Sequence, residues 1–74
     1  MIRKTFESEI QQVKDEVLLL GSMVENAILG SVDSLKKRDI KASEKIIAED
    51  KEINKKRFAI ENQLMILIAT QQPM

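Results

Sequence analysis

The chain has 74 residues, 12 basic and 12 acidic side chains, and neither cysteine nor histidine. A domain of this size rarely gains more than ~3–5 kcal/mol of stability without a disulfide, a metal or an oligomeric partner. The lack of cysteine and histidine excludes disulfides and removes the commonest general base and the usual zinc ligands. Formal neutrality and only two aromatic residues argue against nucleic acid as a partner, because phosphate binding needs excess basic charge.

The first half of the chain predicts one long helix, at about residues 2–37. Its apolar residues recur in steps of three and four, the spacing of a single buried helical face. These residues are Phe6, Ile10, Val13, Val17, Leu20, Val24 and Ala27, with a continuation through Ile28, Val32 and Leu35. Basic residues at 36–38 favour the negative end of the helix dipole, and Asp33 is placed to pair with Lys37.

A short break separates this helix from a second one, at about residues 40–71. Asp39 is a good candidate for the N-cap of the second helix. The apolar face of that helix consists of Ile46, Ile53, Ile60, Leu64 and Leu67. Pro73 ends it, because the residue before a proline is disfavoured in the α region. Short connections between long helices produce antiparallel neighbours, so we expect residues 1–74 to form one all-α domain, a long antiparallel helical hairpin.

Two runs of consecutive apolar residues exceed what a two-helix hairpin can bury. Consecutive residues point to different sides of a helix, so a single partner helix cannot cover them all. We therefore expect a protein-binding surface, covered by a third helix in a three-helix bundle or by a second copy in a four-helix bundle. The predicted partner-binding residues are Val17, Leu18, Leu19, Leu20, Leu64, Met65, Ile66, Leu67 and Ile68. Gly21 and Gly30 favour close approach of another helix, and the alternative is that glycine is simply tolerated there or allows a slight bend.

Neither apolar run approaches the ~20 residues needed to span a bilayer, and the N-terminal residues lack the apolar core of a signal peptide. The sequence therefore predicts a cytoplasmic protein without a membrane span. It also predicts no enzymatic activity, because it has no nucleophile–base pair, phosphate-binding glycine loop or histidine-based site.

A polar strip follows the second helix at Asp50, Asn54, Arg57 and Glu61, in or at the edge of the apolar seam. Carboxylate and amide oxygens bind hard cations, so Asp50, Asn54 and Glu61 are candidate metal ligands. A polar element that sets the helix register, or an exposed ion pair, explains the strip at least as well, because Arg57 would repel a cation near Glu61.

Several residues at matching separations resemble the N-terminal part of the PhoU family. They are the segment Leu20-Gly21-Ser22-Met23-Val24-Glu25-Asn26-Ala27-Ile28, the turn Arg38-Asp39-Ile40 followed by Ala42, the segment Asp50-Lys51-Glu52-Ile53-Asn54, and the ending Ala69-Thr70-Gln71-Gln72-Pro73. The resemblance covers essentially the whole chain. It implies two similar three-helix bundles in the complete protein, with this chain ending where the third helix would begin, so we expect a fragment or a truncated relative.

The resemblance also implies a function. Members of the family are non-enzymatic adaptors that regulate phosphate uptake and phosphate-responsive signalling through a sensor kinase and the phosphate ABC transporter. Some bind iron or zinc clusters through acids at i and i+4, and Arg57 and Glu61 lie closest to that motif, without its first acid. A homo-oligomer is a further expectation. The alternative hypothesis is a structural coiled-coil dimerisation module without a phosphate role.

Overall fold

Two helices and a short turn make up residues 2–70, the part of the chain that the computed structural model describes, with side chains from residue 5 onward. Helix α1 spans Ile2–Lys37 and helix α2 spans Ile40–Thr70. They pack side by side in a rod of 56 × 15 × 13 Å. The all-α helical hairpin predicted from the sequence is confirmed. The predicted end of the second helix, before Pro73, lies outside the described residues.

Backbone hydrogen bonds around Arg38 close the turn. The Arg38 amide donates to the carbonyl oxygen of Leu35 at 3.3 Å, and the Asp39 amide donates to that of Ser34 at 3.1 Å. These two bonds form a Schellman motif, which places a left-handed residue just after the end of a helix. Arg38 is that residue, with a φ of 52°. Glycine adopts this conformation without steric cost, whereas residues with a β-carbon are sterically strained in it.

Asp39 caps the start of α2, as predicted. Its Oδ1 accepts a hydrogen bond from the Ala42 amide at 3.1 Å. Its carbonyl oxygen accepts from the amide of Ser43 at 3.1 Å and from the hydroxyl at 3.0 Å. Asp39 thereby satisfies an amide at the helix start that has no partner within the helix. The predicted ion pair between Asp33 and Lys37 also forms, at 3.2 Å, but it is exposed and so contributes little to stability.

The two helices meet along a seam with a seven-residue repeat. The seam residues are Phe6, Val13, Leu20, Ala27 and Ser34 in α1, and Ile46, Ile53, Ile60 and Leu67 in α2. All of them are buried or half-buried. Seven residues make nearly two helical turns, so each series returns to the same side of its helix and stays in contact with the partner.

The apolar core lies in the half of the hairpin away from the turn. Its buried centre is Val13, Ile60 and Leu67, with Phe6, Ile10, Leu20 and Leu64 packed against it. Nearer the turn, small residues occupy the α1 side of the seam. A β-carbon on Gly30 would lie 3.5 Å from Cδ1 of Ile46, so the close approach expected at this glycine is an approach to α2.

The seam is narrower than the apolar stripe predicted for α1. Val17 and Val24 belong to the predicted stripe, yet they are 47% and 38% exposed. The expected continuation at Ile28, Val32 and Leu35 is exposed too, and the buried position at that end is Ser34. The prediction was wrong there for two reasons. Val17 and Val24 repeat at the same seven-residue interval as the seam residues but lie on the flank of the seam. The step of one residue from Ala27 to Ile28 then turns the predicted stripe by about 100° round the helix, away from α2.

Replacing Ile60 by alanine should destabilise the hairpin by about 2–4 kcal/mol, because it removes buried methylene groups and leaves a cavity beside Val13 and Leu67. Urea unfolding followed by circular dichroism at fixed protein concentration measures the loss. Ile66→Ala is the matched control, since Ile66 is 55% exposed, and it should cost less than about 1 kcal/mol. Equal losses would contradict the assigned seam.

Replacing Arg38 by glycine should stabilise the hairpin by about 1 kcal/mol, because glycine removes the steric cost of the left-handed conformation. The same unfolding experiment measures the gain. Lys36→Gly, two residues earlier and inside α1, should instead cost about 1 kcal/mol through lost helix propensity. A loss of stability in the Arg38 variant would show that the left-handed conformation of Arg38 does not lower the stability of the hairpin.

Candidate protein-binding groove

An open apolar groove follows one side of the seam. Its walls are formed by Val24, Ala27, Ile28 and Ser31 of α1 and by Ile46, Ile47, Asp50 and Ile53 of α2. Toward the turn it continues past Leu35 and Ser43. Ile28 and Ile47, on opposite walls, are 59% and 62% exposed. Two large aliphatic side chains thus face solvent across the groove.

The seven-residue repeat extends the groove away from the turn. In α1, the residues one seven-residue repeat before Val24 and Ile28 lie on the same side of the helix as these two wall residues. In α2, the same holds two repeats after Asp50 and three repeats after Ile47. These residues are Val17 and Gly21 in α1 and Leu64 and Ile68 in α2. A β-carbon built on Gly21 would meet nothing within 4 Å. At this point the groove is open to a closely approaching neighbour.

The opposite side of the seam is more polar. Nζ of Lys56 donates to Oε2 of Glu16 at 2.5 Å, and this ion pair joins the two helices with both side chains partly buried. Nearer the turn this side is lined by Met23, Asn26, Glu49 and Glu52 beside Ile53. By the seven-residue repeat, Leu19 and Ile66 also lie here. The hairpin therefore has an apolar groove side and a polar side.

The predicted partner-binding residues do not form one continuous surface. Leu67 is buried, and Leu20 and Leu64 are half-buried against the core, so these three stabilise the hairpin itself. The exposed residues of the two runs are Val17, Leu18, Leu19, Met65, Ile66 and Ile68. They are divided between the groove side, the polar side and the outer faces, because successive residues in a helix are about 100° apart.

The polar strip lies along the α2 wall of the groove, beside the seam and exposed. Nη1 of Arg57 donates to Oε1 of Glu61 at 3.0 Å, and its guanidinium carbon lies 4.6 Å from the ring centroid of Phe58. Within residues 5–70, Asp50 has no hydrogen-bond or ion-pair partner. A neighbour that covers this part of the groove must therefore bring a positive charge to Asp50 or leave it hydrated.

The strip does not fit a metal site shared by Asp50, Asn54 and Glu61. Asp50 and Glu61 are about 16 Å apart along the helix, too far to bind one ion. Asp50 and Asn54 are one turn apart but supply only one carboxylate and one amide. No group of three or more acidic, cysteine or histidine side chains that could hold a metal exists in the part of the chain the structure describes. The iron or zinc implied by the resemblance finds no ligand set there.

Helix α1 contains a segment within Thr5–Lys37 that is long and apolar enough to cross a membrane by length and composition. This is weak evidence, because the core helix of a soluble protein meets the same criterion. In α1 the apolar composition comes from two adjacent faces, one on the seam and one on the groove. The absence of a membrane span stays a prediction.

Comparison with known proteins decides the family. Residues 17–74 match the PhoU domain. The chain belongs to the PhoU family. The matched range begins at Val17 and includes most of α1, the turn and α2, so it contains both walls of the groove as far as Val17.

Curated relatives in the PhoU family show how much of a family member's length this chain covers. It is 41% identical over 73 residues to the phosphate-specific transport system accessory protein PhoU homolog of Clostridium acetobutylicum, covering 99% of this chain and 33% of the relative. It is 26% identical over 68 residues to the phosphate-specific transport system accessory protein PhoU of Escherichia coli and of Shigella flexneri, covering 92% of this chain and 28% of each relative. The chain thus spans about a third of the length of these curated relatives. No solved structure matches it.

Protein purified without chelators should contain less than one equivalent of iron or zinc, because the described acids cannot converge on one ion. Elemental analysis by mass spectrometry measures the metal content. Stoichiometric metal that is lost when Asp50→Asn and Asn54→Ala are combined, but retained in Glu49→Gln on the polar side, would contradict this expectation.

Proposed function

We propose that this PhoU-family chain is a non-enzymatic regulator of phosphate uptake and of phosphate-responsive signalling in the cytoplasm. It acts as a helical adaptor whose partners are a phosphate sensor kinase and the phosphate ABC transporter. The observation that carries this proposal is the match of residues 17–74 to the PhoU domain. The relatives' names, which describe accessory proteins of a phosphate-specific transport system, support the same role.

The exposed apolar surface supports an adaptor role. Among the described residues, four hydrophobic side chains are buried, whereas fourteen large ones are exposed. Exposed apolar side chains in such number are typical of a surface that binds another protein, since burying them removes apolar area from water. The physical chemistry of the hairpin thus favours a function exerted through contact with other helices.

We place the partner contacts on the exposed residues of the two apolar runs that lie outside the groove. Leu19 and Ile66 are 52% and 55% exposed on the polar side. Polar residues surround them there, including the ion pair of Glu16 and Lys56. Apolar anchors within a polar rim are the usual composition of a protein–protein interface. Leu18 and Met65, on the outer faces, extend this set.

A structural dimerisation module without a phosphate role is the second candidate. The exposed apolar side chains favour it, because two hairpins that pair into a four-helix bundle would bury them. The two candidates differ in one respect that can be measured, the dependence of partner binding and promoter activity on phosphate.

Deleting the gene for this chain should lift the repression of phosphate-regulated promoters at high phosphate. The double variant Leu19→Ser and Ile66→Ser should have the same effect while remaining helical, because it removes the proposed anchors without touching the seam. A promoter reporter and co-purification of the tagged protein with the kinase and transporter, at high and low phosphate, measure both effects.

Ile40→Ser is the control for this experiment. Ile40 is 75% exposed at the turn, away from the two apolar runs, so its replacement should leave repression intact. Normal repression in the deletion strain would contradict the regulatory role. Partner binding that is indifferent to phosphate would favour the dimerisation module instead.

A further inference from the structure

We propose that the turn end of the hairpin docks on an anionic lipid surface, with its basic side chains on the headgroups and Ile40 inserted between them. We call residues 36–41 the basic tip. Four of these six residues are basic, and the other two are Asp39 and Ile40. The contact is peripheral and requires no membrane span. It does not depend on a phosphate role.

The basic tip concentrates positive charge in a chain that is neutral as a whole. The acids near it are engaged within the hairpin, because Asp33 pairs with Lys37 at 3.2 Å and Asp39 caps α2. The basic side chains of the tip that are exposed and have no ion-pair partner within residues 5–70 are Lys36, Arg38 and Lys41. Their charges are available to an anionic partner.

Two of these charges are placed against the local preferences of the backbone. The helix dipole explains Lys36 in the last turn of α1, but it does not explain Lys41, the second residue of α2. The start of a helix is the positive end of its dipole and disfavours a cation. Arg38, with a φ of 52°, occupies a position that suits glycine. Local costs of this kind are typical of functional sites, where another interaction outweighs them.

The apolar residue of the tip is as unusual as its charges. Ile40 is 75% exposed and is the first residue of α2, at the end of the rod. A helix lying in the groove covers the side of the rod, so it leaves this end open. An apolar side chain among lysine and arginine is the composition of an interfacial anchor, in which the basic groups bind headgroups and the apolar group enters the acyl boundary.

The shape of the hairpin favours a lipid surface over a folded protein at this end. The rod is 56 Å long but only 15 × 13 Å across. Its end therefore offers far less than the ~800 Å² that each partner contributes to a standard protein interface. A lipid surface needs no such area, since mobile headgroups can gather around individual basic side chains. Nucleic acid would gain nothing from Ile40, because phosphate contacts are electrostatic.

Docking by the basic tip leaves both sides of the seam free. Leu19 lies about 30 Å along α1 from the turn, so the polar side with Leu19 and Ile66 stands well above the lipid surface. A membrane-bound partner can then be contacted at that height. Two weak contacts of one chain reinforce each other, because the first raises the effective concentration for the second.

Co-sedimentation of the 74-residue chain with lipid vesicles tests the contact. Vesicles of equimolar phosphatidylcholine and phosphatidylglycerol should bind it at least about tenfold more tightly than phosphatidylcholine alone, and added salt should reduce the difference. Arg38→Gly combined with Lys41→Gln should lower the partition coefficient at least about tenfold. The same variant should be more stable than the unaltered chain, because both changes remove a local cost, so unfolding does not explain the loss.

Matched variants separate the tip from the rest of the surface. Lys14→Gln with Lys51→Gln removes two exposed charges more than a Debye length from the tip, and it should change the partition coefficient by less than about twofold. Leu19→Ser with Ile66→Ser should also leave it unchanged. Ile40→Ser should lower it about tenfold while promoter repression stays intact. Failure of the lipid contact and failure of the proposed function are thus distinguishable.

An introduced tryptophan reports the depth of insertion, because the chain contains neither tryptophan nor tyrosine. The fluorescence of Ile40→Trp should be quenched by brominated lipid in the anionic vesicles. Leu19→Trp should stay unquenched, since it lies about 30 Å from the turn. Circular dichroism establishes that each variant is helical.

Four results would overturn docking by the basic tip. Absence of binding to anionic vesicles would leave the tip to an acidic protein, and equal binding to neutral vesicles would show that its charges are not used. Unchanged partition of the variant at Arg38 and Lys41 would exclude these two residues. Quenching of Leu19→Trp in place of Ile40→Trp would show that the side of α1, and not the end of the rod, lies on the lipid.

Discussion

The seven-residue spacing of the buried side chains is the constraint on which the rest of the hairpin depends. It keeps Val13 and Leu20 against α2 over successive pairs of turns, where an unconstrained helix would carry its apolar stripe away from the partner. The neighbouring apolar residues are displaced to the groove as a direct consequence. Val17 and Val24 are therefore exposed although they continue the same three–four pattern.

The two sides of the seam differ because their flanking residues differ. On one side Glu16 and Lys56 form an ion pair across the helices. On the other side the flanking positions in α1 are apolar apart from Ser31, and those in α2 hold Asp50 and Arg57 between apolar ends. A hairpin with one apolar and one polar side can cover its groove with another helix and still present its polar side to a different protein.

The candidate site was predictable only in part. The runs of apolar residues around Leu19 and Ile66 indicated more apolar surface than the hairpin can bury, and the structure shows most of these side chains exposed. Which residues of the runs are buried and which are exposed was not predictable. Leu67 is buried and its neighbour Ile68 is exposed only because of how α2 is rotated about its axis relative to α1. The polar strip was found from its spacing, but its position beside the groove depends on which face α2 turns to α1.

The sequence by itself determined the two helices, their antiparallel order and the Asp39 cap, because these follow from local propensity and from residues close together along the chain. The family was indicated by the resemblance of several segments and shown by the match of residues 17–74 to the PhoU domain. Only the tertiary structure decided the phase of the seam, the left-handed Arg38 in the turn and the groove. Each of these requires knowing how two helices rotate about their axes to face each other. That rotation is set by packing between residues such as Gly30 and Ile46, which lie far apart in the chain. The sequence thus indicated that apolar surface would remain exposed, whereas the packing of α1 on α2 determined that this surface lies beside Gly21.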